Sequence, residues 1–129
     1  MKKNTTSIVF AITWLLLVTA LFCIPGTEFP KITWSDKILL DKWVHVVLFM
    51  VLVILWSKAY AGKISMPINL RKFFFRIMML GVLYGILMEL VQKYFIPFRS
   101  FDVFDVIADT VGCVAGYLFA LKKFLPANS

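Results

Sequence analysis

Charge is scarce in this chain, and negative charge scarcer still. Only 16% of the 129 residues are charged, seven acids against fourteen Lys and Arg, while 61% are hydrophobic and the mean hydropathy is +0.88. Soluble domains are roughly 45–50% apolar; a core of this size cannot hide the surplus, so a water-soluble domain is excluded and lipid is the expected solvent. Cysteine is sparse too. Cys23 and Cys113 fall on helices running in opposite directions, where a disulfide would need matched depths, and both are expected to be small buried hydrophobes. There is one histidine, with no G-x-S-x-G and no H-E-x-x-H, which removes the common nucleophile-elbow and zinc-protease signatures. Neither an internal repeat nor a low-complexity tract divides the chain, so residues 1–129 are expected to form a single domain.

What is abundant is apolar sequence in four runs, Ser7–Ile24, Trp43–Tyr60, Phe73–Tyr94 and Phe101–Leu121, each 18 to 22 residues long. About 20 residues cross roughly 30 Å of hydrocarbon as a helix, so an all-α, four-helix transmembrane bundle is expected. Pro25-Gly26, Pro30, Met66-Pro67 and Pro97 punctuate the runs. Trp34, Trp43, Trp56, Tyr60 and Tyr94 stand near their ends, where amphipathic rings favour the interface. Lys2-Lys3 ahead of an apolar run also describes a signal peptide. The region before Pro25 offers no small-x-small cleavage site, so the first run is expected to remain as a span.

The placement of charge orients the bundle. With four spans, the amino end, the loop near residues 57–76 and the carboxyl end share one side and carry nine bases and no acid; the other side carries five bases and seven acids. The positive-inside rule then puts both termini in the cytoplasm. A pI near 9.6 fits basic loops resting on anionic lipid, and nucleic acid is not expected as a partner because no soluble module is left to bind it.

The few polar residues inside the spans agree in height. His45, Glu89 and Asp109 each lie 13 residues from a basic residue on the cytoplasmic side, Lys58, Arg76 and Lys122 respectively, or ~20 Å along a helix. They also agree in face. Gly81, Gly85, Glu89 and Gln92 form one stripe; Asp102, Asp105, Asp109, Gly112 and Gly116 form another; Asp41 and His45 are i, i+4 on the second helix if that helix begins by Asp41. Small residues at such spacing let helix backbones approach, so the third and fourth helices are expected to pack through Gly81, Gly85, Gly112 and Gly116 and to aim their acids at one cleft. An intramembrane acid costs about 2.5–3.5 kcal/mol on insertion scales, so it normally faces protein or water and marks function.

Three pieces in this order, D-K-x-x-H-x-x-x-F (Asp41, Lys42, His45, Phe49), G-x-x-x-E-x-x-Q (Gly85, Glu89, Gln92) and R-S-F-D-x-x-D-x-x-x-D-T-x-G-x-x-x-G (Arg99 to Gly116), resemble the VanZ-like family of small bacterial membrane proteins. The resemblance spans Asp41 to Gly116 and is carried by the combination, each piece being common alone. It implies a multi-spanning protein of the bacterial envelope, and the family's name-giving member is associated with resistance to the glycopeptide teicoplanin. The chain departs from the family pattern at Asp109, where many members carry Asn, and at Phe104, where some carry a further acid.

Arg99, Asp102, Asp105, Asp109, Glu89 and His45 combine one fixed positive charge, four potential negatives and one switchable imidazole. Four carboxylates so close cannot all stay ionised, so a raised pKa, a bound cation or a cationic ligand group is expected. The leading expectation is a binding cleft for the head of an amphipathic envelope molecule, a lipid, a lipid-linked sugar or a lipidated glycopeptide. Arg99 would grip a phosphate or carboxylate, and Asp41, Gln92, Asp102 and Asp105 would read hydroxyls or amines. A second is an enzyme in which His45 is the general base, with Asp41, Glu89 or Asp109 orienting it. A third is a structural helper in envelope assembly. Neither a cofactor nor a metal is assigned, since the acids and His45 show no recognised ligand spacing; membrane lipid is the expected partner, the oligomeric state is left open, and the site faces the periplasmic side of the bacterial inner membrane.

The orientation has a direct test. With Cys23 and Cys113 changed to Ala, Lys63→Cys or Lys123→Cys is expected to react with a membrane-impermeant maleimide only after permeabilisation, and labelling in intact cells would reverse the assignment.

Overall fold

Proline and aspartate set where the last two helices begin. In a computed structural model the chain forms α1 (Lys2–Phe22), a single 3-10 turn (Gly26–Glu28), α2 (Trp34–Ala61), α3 (Pro67–Phe95) and α4 (Val103–Phe124). Residues 2–28, 34–61, 63 and 67–125 are described, with side chains over 5–27, 39–61, 63 and 69–125. The breaks expected at Pro30 and Met66, the Trp34 ring and the charges at Lys2, Lys3, Glu28, Lys31, Asp36 and Lys37 lie outside these. Helix α3 opens on Pro67, whose missing N–H would have no partner in a first turn. Helix α4 opens on Asp102, an extended N-cap whose carboxylate accepts from Phe104 N–H at 2.8 Å, with Asp105 in the first turn and Lys122 and Lys123 in the last. Both ends of α4 therefore complement its dipole.

All four helices are long and apolar enough to cross a membrane, over Thr5–Phe22, Leu39–Ala61, Asn69–Phe95 and Val103–Phe124. Helix α2 starts nine residues before the apolar run expected from Trp43, and α3 six residues before Phe73. Hydropathy registers only the stretch that lies in hydrocarbon. The backbone hydrogen-bond ladder continues past that boundary, carrying Asp41 and Lys42 on helix rather than on loop.

Helix α2 is the hub: α4 packs most extensively against it, α1 rests on its other side, α3 leans on α4 and less on α2, and α1 scarcely meets α3. The glycines explain this order and correct the expectation that α3 and α4 pack through all four. Gly112 and Gly116 face α2. A Cβ on Gly116 would lie 2.6 Å from Met50 O and 2.9 Å from Val53 Cβ, and one on Gly112 would run into Val46 O. Gly81 and Gly85 face α4 instead, where a Cβ would stand 2.8 Å from Cys113 Sγ and 2.7 Å from Asp109 Oδ2 respectively. Around these approaches the core is built from Val18, Phe22, Phe49, Val53, Met88 and Cys113, with Leu70, Phe74 and Ala120 packed together near the far end. Cys113 is buried as expected, but Cys23 is exposed just beyond α1, where the helix has ended and none of the described residues covers it. Broad apolar surface, such as Leu80, Phe104 and Leu118, points outward, as lipid requires and water would not tolerate.

Polar links fix α1 against the rest. Trp14 Nε1 donates to Leu48 O at 3.0 Å, and Thr19 gives its proton to Leu15 O while accepting from the Tyr84 hydroxyl, each at 2.8 Å. Gln92 Nε2 donates to Phe22 O at 3.1 Å, Arg99 Nε to Ile24 O at 3.4 Å, and Gly26 N–H to Pro97 O at 3.2 Å. The Gly26 contact needs glycine, since a Cβ there would collide with Phe98 O; Phe98 itself takes the left-handed conformation, φ 58°. The end of α1 is thus latched to the α3–α4 linker.

Close approach through α4 sets the expected mutational pattern. Gly112→Val and Gly116→Val are each expected to cost roughly 1–3 kcal/mol of bundle stability through overpacking, whereas the lipid-facing Leu118→Ala stays within about 0.5 kcal/mol. Reversible unfolding in SDS measures the difference, and equal effects at both kinds of site would contradict the packing.

Candidate functional site

Three helices converge on one polar cluster at the end of the bundle where α4 begins. Helix α2 brings Asp41, Lys42 and His45, α4 brings Asp105 and Asp109 with the capping Asp102, and α3 brings Glu89. Lys42 sits at the centre. Its Nζ bonds Asp105 Oδ1, lies 2.7 Å from Asp102 Oδ2 and 3.7 Å from Asp41 Oδ2. One turn deeper, His45 Nδ1 pairs with Asp109 Oδ1 at 2.8 Å, with its Nε2 3.9 Å from Asp105 Oδ1. The Phe22 ring covers the imidazole with its centroid 4.8 Å away. Glu89 Oε2 accepts the backbone N–H of Asp102 at 3.0 Å, so an α3 carboxylate also serves the start of α4.

Exposure grades down the cluster. The side chains of Asp41 and Asp102 are 41% and 40% exposed and that of Lys42 22%, while Asp105, His45 and Asp109 fall to 7% or less. Outer acids therefore form a rim, the lysine a middle layer and the His45–Asp109 pair a buried floor. On the rim, burial acts to raise the Asp102 carboxyl, but the Lys42 ammonium and the Phe104 N–H outweigh it and hold the group below its ordinary value of 3.8. On the floor, Asp109 Oδ2 is buried with no hydrogen-bond partner among the described residues and faces Gly85. A buried acceptor left open in this way costs about 1–3 kcal/mol, which close packing of α3 on α4 must offset.

Of the residues singled out from sequence, His45 and Asp109 meet directly, and Asp41, Asp102 and Asp105 gather on Lys42. Glu89 joins them through the Asp102 backbone. Gln92 and Arg99 do something else: both donate to backbone carbonyls at the end of α1 and hold the latch. From the sequence, Arg99 is expected to be the fixed cation of the site, and Lys42 enters only through the D-K-x-x-H motif and the charge count, with no site role. The signal for Lys42 was present in D-K-x-x-H, where it stands three residues before His45 and shares a face with it. The apolar run that marks the span begins only at Trp43, which obscures it. Lys42 thus gives two of the four crowded carboxylates, Asp102 and Asp105, a cation from the chain itself. Asp41, His45 and Asp105 also offer ligand atoms within 4.8 Å of one another, but Lys42 engages both carboxyl groups of this trio, so an added metal would compete with it for the same oxygens.

Removing that lysine is expected to destabilise the bundle by about 1–3 kcal/mol, the cost of leaving ionic partners unsatisfied. Lys42→Met combined with Asp105→Asn is expected to lose less than the sum of the single losses, a coupling of about 0.5–3 kcal/mol. A double-mutant cycle in SDS unfolding reads this directly, and additive losses would dissolve the ionic link.

No curated protein matches the chain, and neither does any solved structure. A family model described as VanZ/LLP1 matches residues 3–125, nearly the whole of the chain including every residue of the cluster. With four membrane-length helices and that match, the chain is an integral membrane protein and a member of the VanZ family.

Proposed function

We propose that the chain lies in the bacterial cytoplasmic membrane with both termini in the cytoplasm, and that its polar cluster, near the periplasmic surface, holds the head of an amphipathic envelope molecule. The observation that carries this reading is the rim. Asp41 and Asp102 keep carboxylate surface accessible at 41% and 40% side-chain exposure although Lys42 pairs with both of them as well as with the deeper Asp105. Rim carboxylates accept from ammonium and hydroxyl groups, and charge-assisted bonds of this kind are about twice as strong as neutral ones. The favoured head therefore carries amines and hydroxyls, as in an aminophospholipid, a lipid-linked amino sugar or a lipidated glycopeptide such as teicoplanin. Its tail remains in the surrounding lipid. Gln92 and Arg99 contribute indirectly, by keeping the α1 end fixed beside the cluster.

One observation favours a second reading. His45 bonded through Nδ1 to Asp109 at 2.8 Å is the geometry that orients an imidazole as a general base through Nε2. That nitrogen points toward Asp105 on the buried floor beneath Phe22, so catalysis would require the rim to open before substrate could arrive.

Binding and turnover separate experimentally. Titrated with teicoplanin and with phosphatidylethanolamine and followed by native mass spectrometry, the purified protein is expected to retain at least one of them, with Asp41→Asn/Asp102→Asn weakening retention about tenfold while Asn preserves the α4 cap. Retention unaffected by the double substitution would overturn the rim as the site. A chemically altered ligand whose formation His45→Ala abolishes would establish the enzyme instead.

A further inference from the structure

A cavity of about 530 Å³ occupies the seam between α1, α2 and α3. Ligand sites span roughly 300–1,000 Å³, so the space is large enough for part of a lipid. Leu15, Leu52, Trp56, Ile77 and Leu80 make its wall. The seam exists because α1 rests on α2 and scarcely meets α3. Tyr84 lies toward one end and Arg76, with Phe73 and Tyr60, toward the other; Tyr84 and Arg76 are eight residues apart on α3, or ~12 Å of helix.

Arg76 also borders a second recess of about 330 Å³, formed with Arg71, Lys72, Phe75 and Tyr117. Phe75 and Tyr117 hold it together, ring edge to ring face with centroids 6.1 Å apart. Arg71, Lys72 and Arg76 are all exposed. The sequence places no Asp or Glu between residues 42 and 88, none after Asp109 and none before Glu28. At this end of the molecule, then, the chain brings three cations together without the acids that hold Lys42 at the other end. Tails gain little by leaving bulk lipid for an apolar seam, since both surroundings are equally oily. What selects an occupant is the charge on its head.

We propose that the two recesses form one binding site for an anionic phospholipid, with the phosphate on Arg71, Lys72 and Arg76 and one acyl chain running from Arg76 along the α1–α3 seam toward Tyr84. Guanidinium groups match a phosphate with paired donors, and Lys72 adds a point charge. Each such cation is worth about fivefold in affinity for anionic lipid, and salt weakens that term.

The test uses the full chain in a mild detergent and native mass spectrometry. Presented with equal amounts of phosphatidylglycerol and phosphatidylcholine bearing the same acyl chains, the protein is expected to retain phosphatidylglycerol at least about tenfold better. Arg71→Gln/Arg76→Gln is expected to bring that ratio to within about threefold, while Lys93→Gln, on the same helix but at its opposite end, leaves it unchanged. Long-chain phosphatidylglycerol is expected to outcompete its dihexanoyl form, because the seam accepts a chain as well as a head. Equal retention of the two headgroups, or a preference that survives the double substitution, overturns the phosphate site. Equal retention of long and short chains overturns the seam as part of it.

Discussion

With its ammonium among Asp41, Asp102 and Asp105, Lys42 ties α2 to the first turn of α4 and partners the buried Asp105, which could not stand alone cheaply. Much else follows from that contact. Asp102 is held both as the cap of α4 and as a partner of Lys42, so the charge that starts the helix also docks it. Glu89 receives the Asp102 backbone N–H and brings α3 into the same assembly. One turn below, His45 and Asp109 repeat the α2–α4 pairing in a drier setting, where Phe22 shuts out solvent.

Ionic groups can meet only if their backbones come close. Gly112 and Gly116 remove the side chains that would hold α4 away from the Val46 and Met50 carbonyls, and Gly85 leaves just enough room for the Asp109 carboxylate. Lipid supplies little hydrophobic drive between helices, so such contacts and the buried hydrogen bonds carry association that a water-soluble bundle would draw from burial. The latch of Gln92, Arg99 and Gly26 then stops α1 from sliding along α2 and uncovering the floor of the site.

Composition and run length were enough to read four membrane-length helices, because lipid imposes both a minimum length and a polarity filter. Face periodicity placed His45, Glu89, Asp105 and Asp109 toward the protein interior for the same reason. Which neighbour each glycine stripe would meet was not legible: periodicity defines a face but not the helix opposite, and Gly112 and Gly116 chose α2 over α3. Lys42 was missed because hydropathy ends a span at the first charged residue, although a helix continues while its backbone bonds do. Gln92 and Arg99 looked like ligand residues by type. Their partners are carbonyls at the α1 terminus, and no local pattern in the sequence announces a pairing with residues 70 or more positions away.

The two ends of the bundle are electrostatic opposites. One has its lysine saturated by acids, with spare carboxylate surface at the rim; the other gathers Arg71, Lys72 and Arg76 around a recess. A molecule with an aminated head suits the first and an anionic lipid the second. The first reading assumes that the acid-rich end is organised by its own lysine. Solid-state NMR of the protein in bilayers, with ¹⁵N in lysine side chains and ¹³C in aspartate carboxyls, measures that arrangement directly. The account predicts strong dipolar dephasing between Lys42 Nζ and the carboxyls of Asp102 and Asp105, equivalent to about 4 Å or less; no dephasing at Lys42 would contradict it.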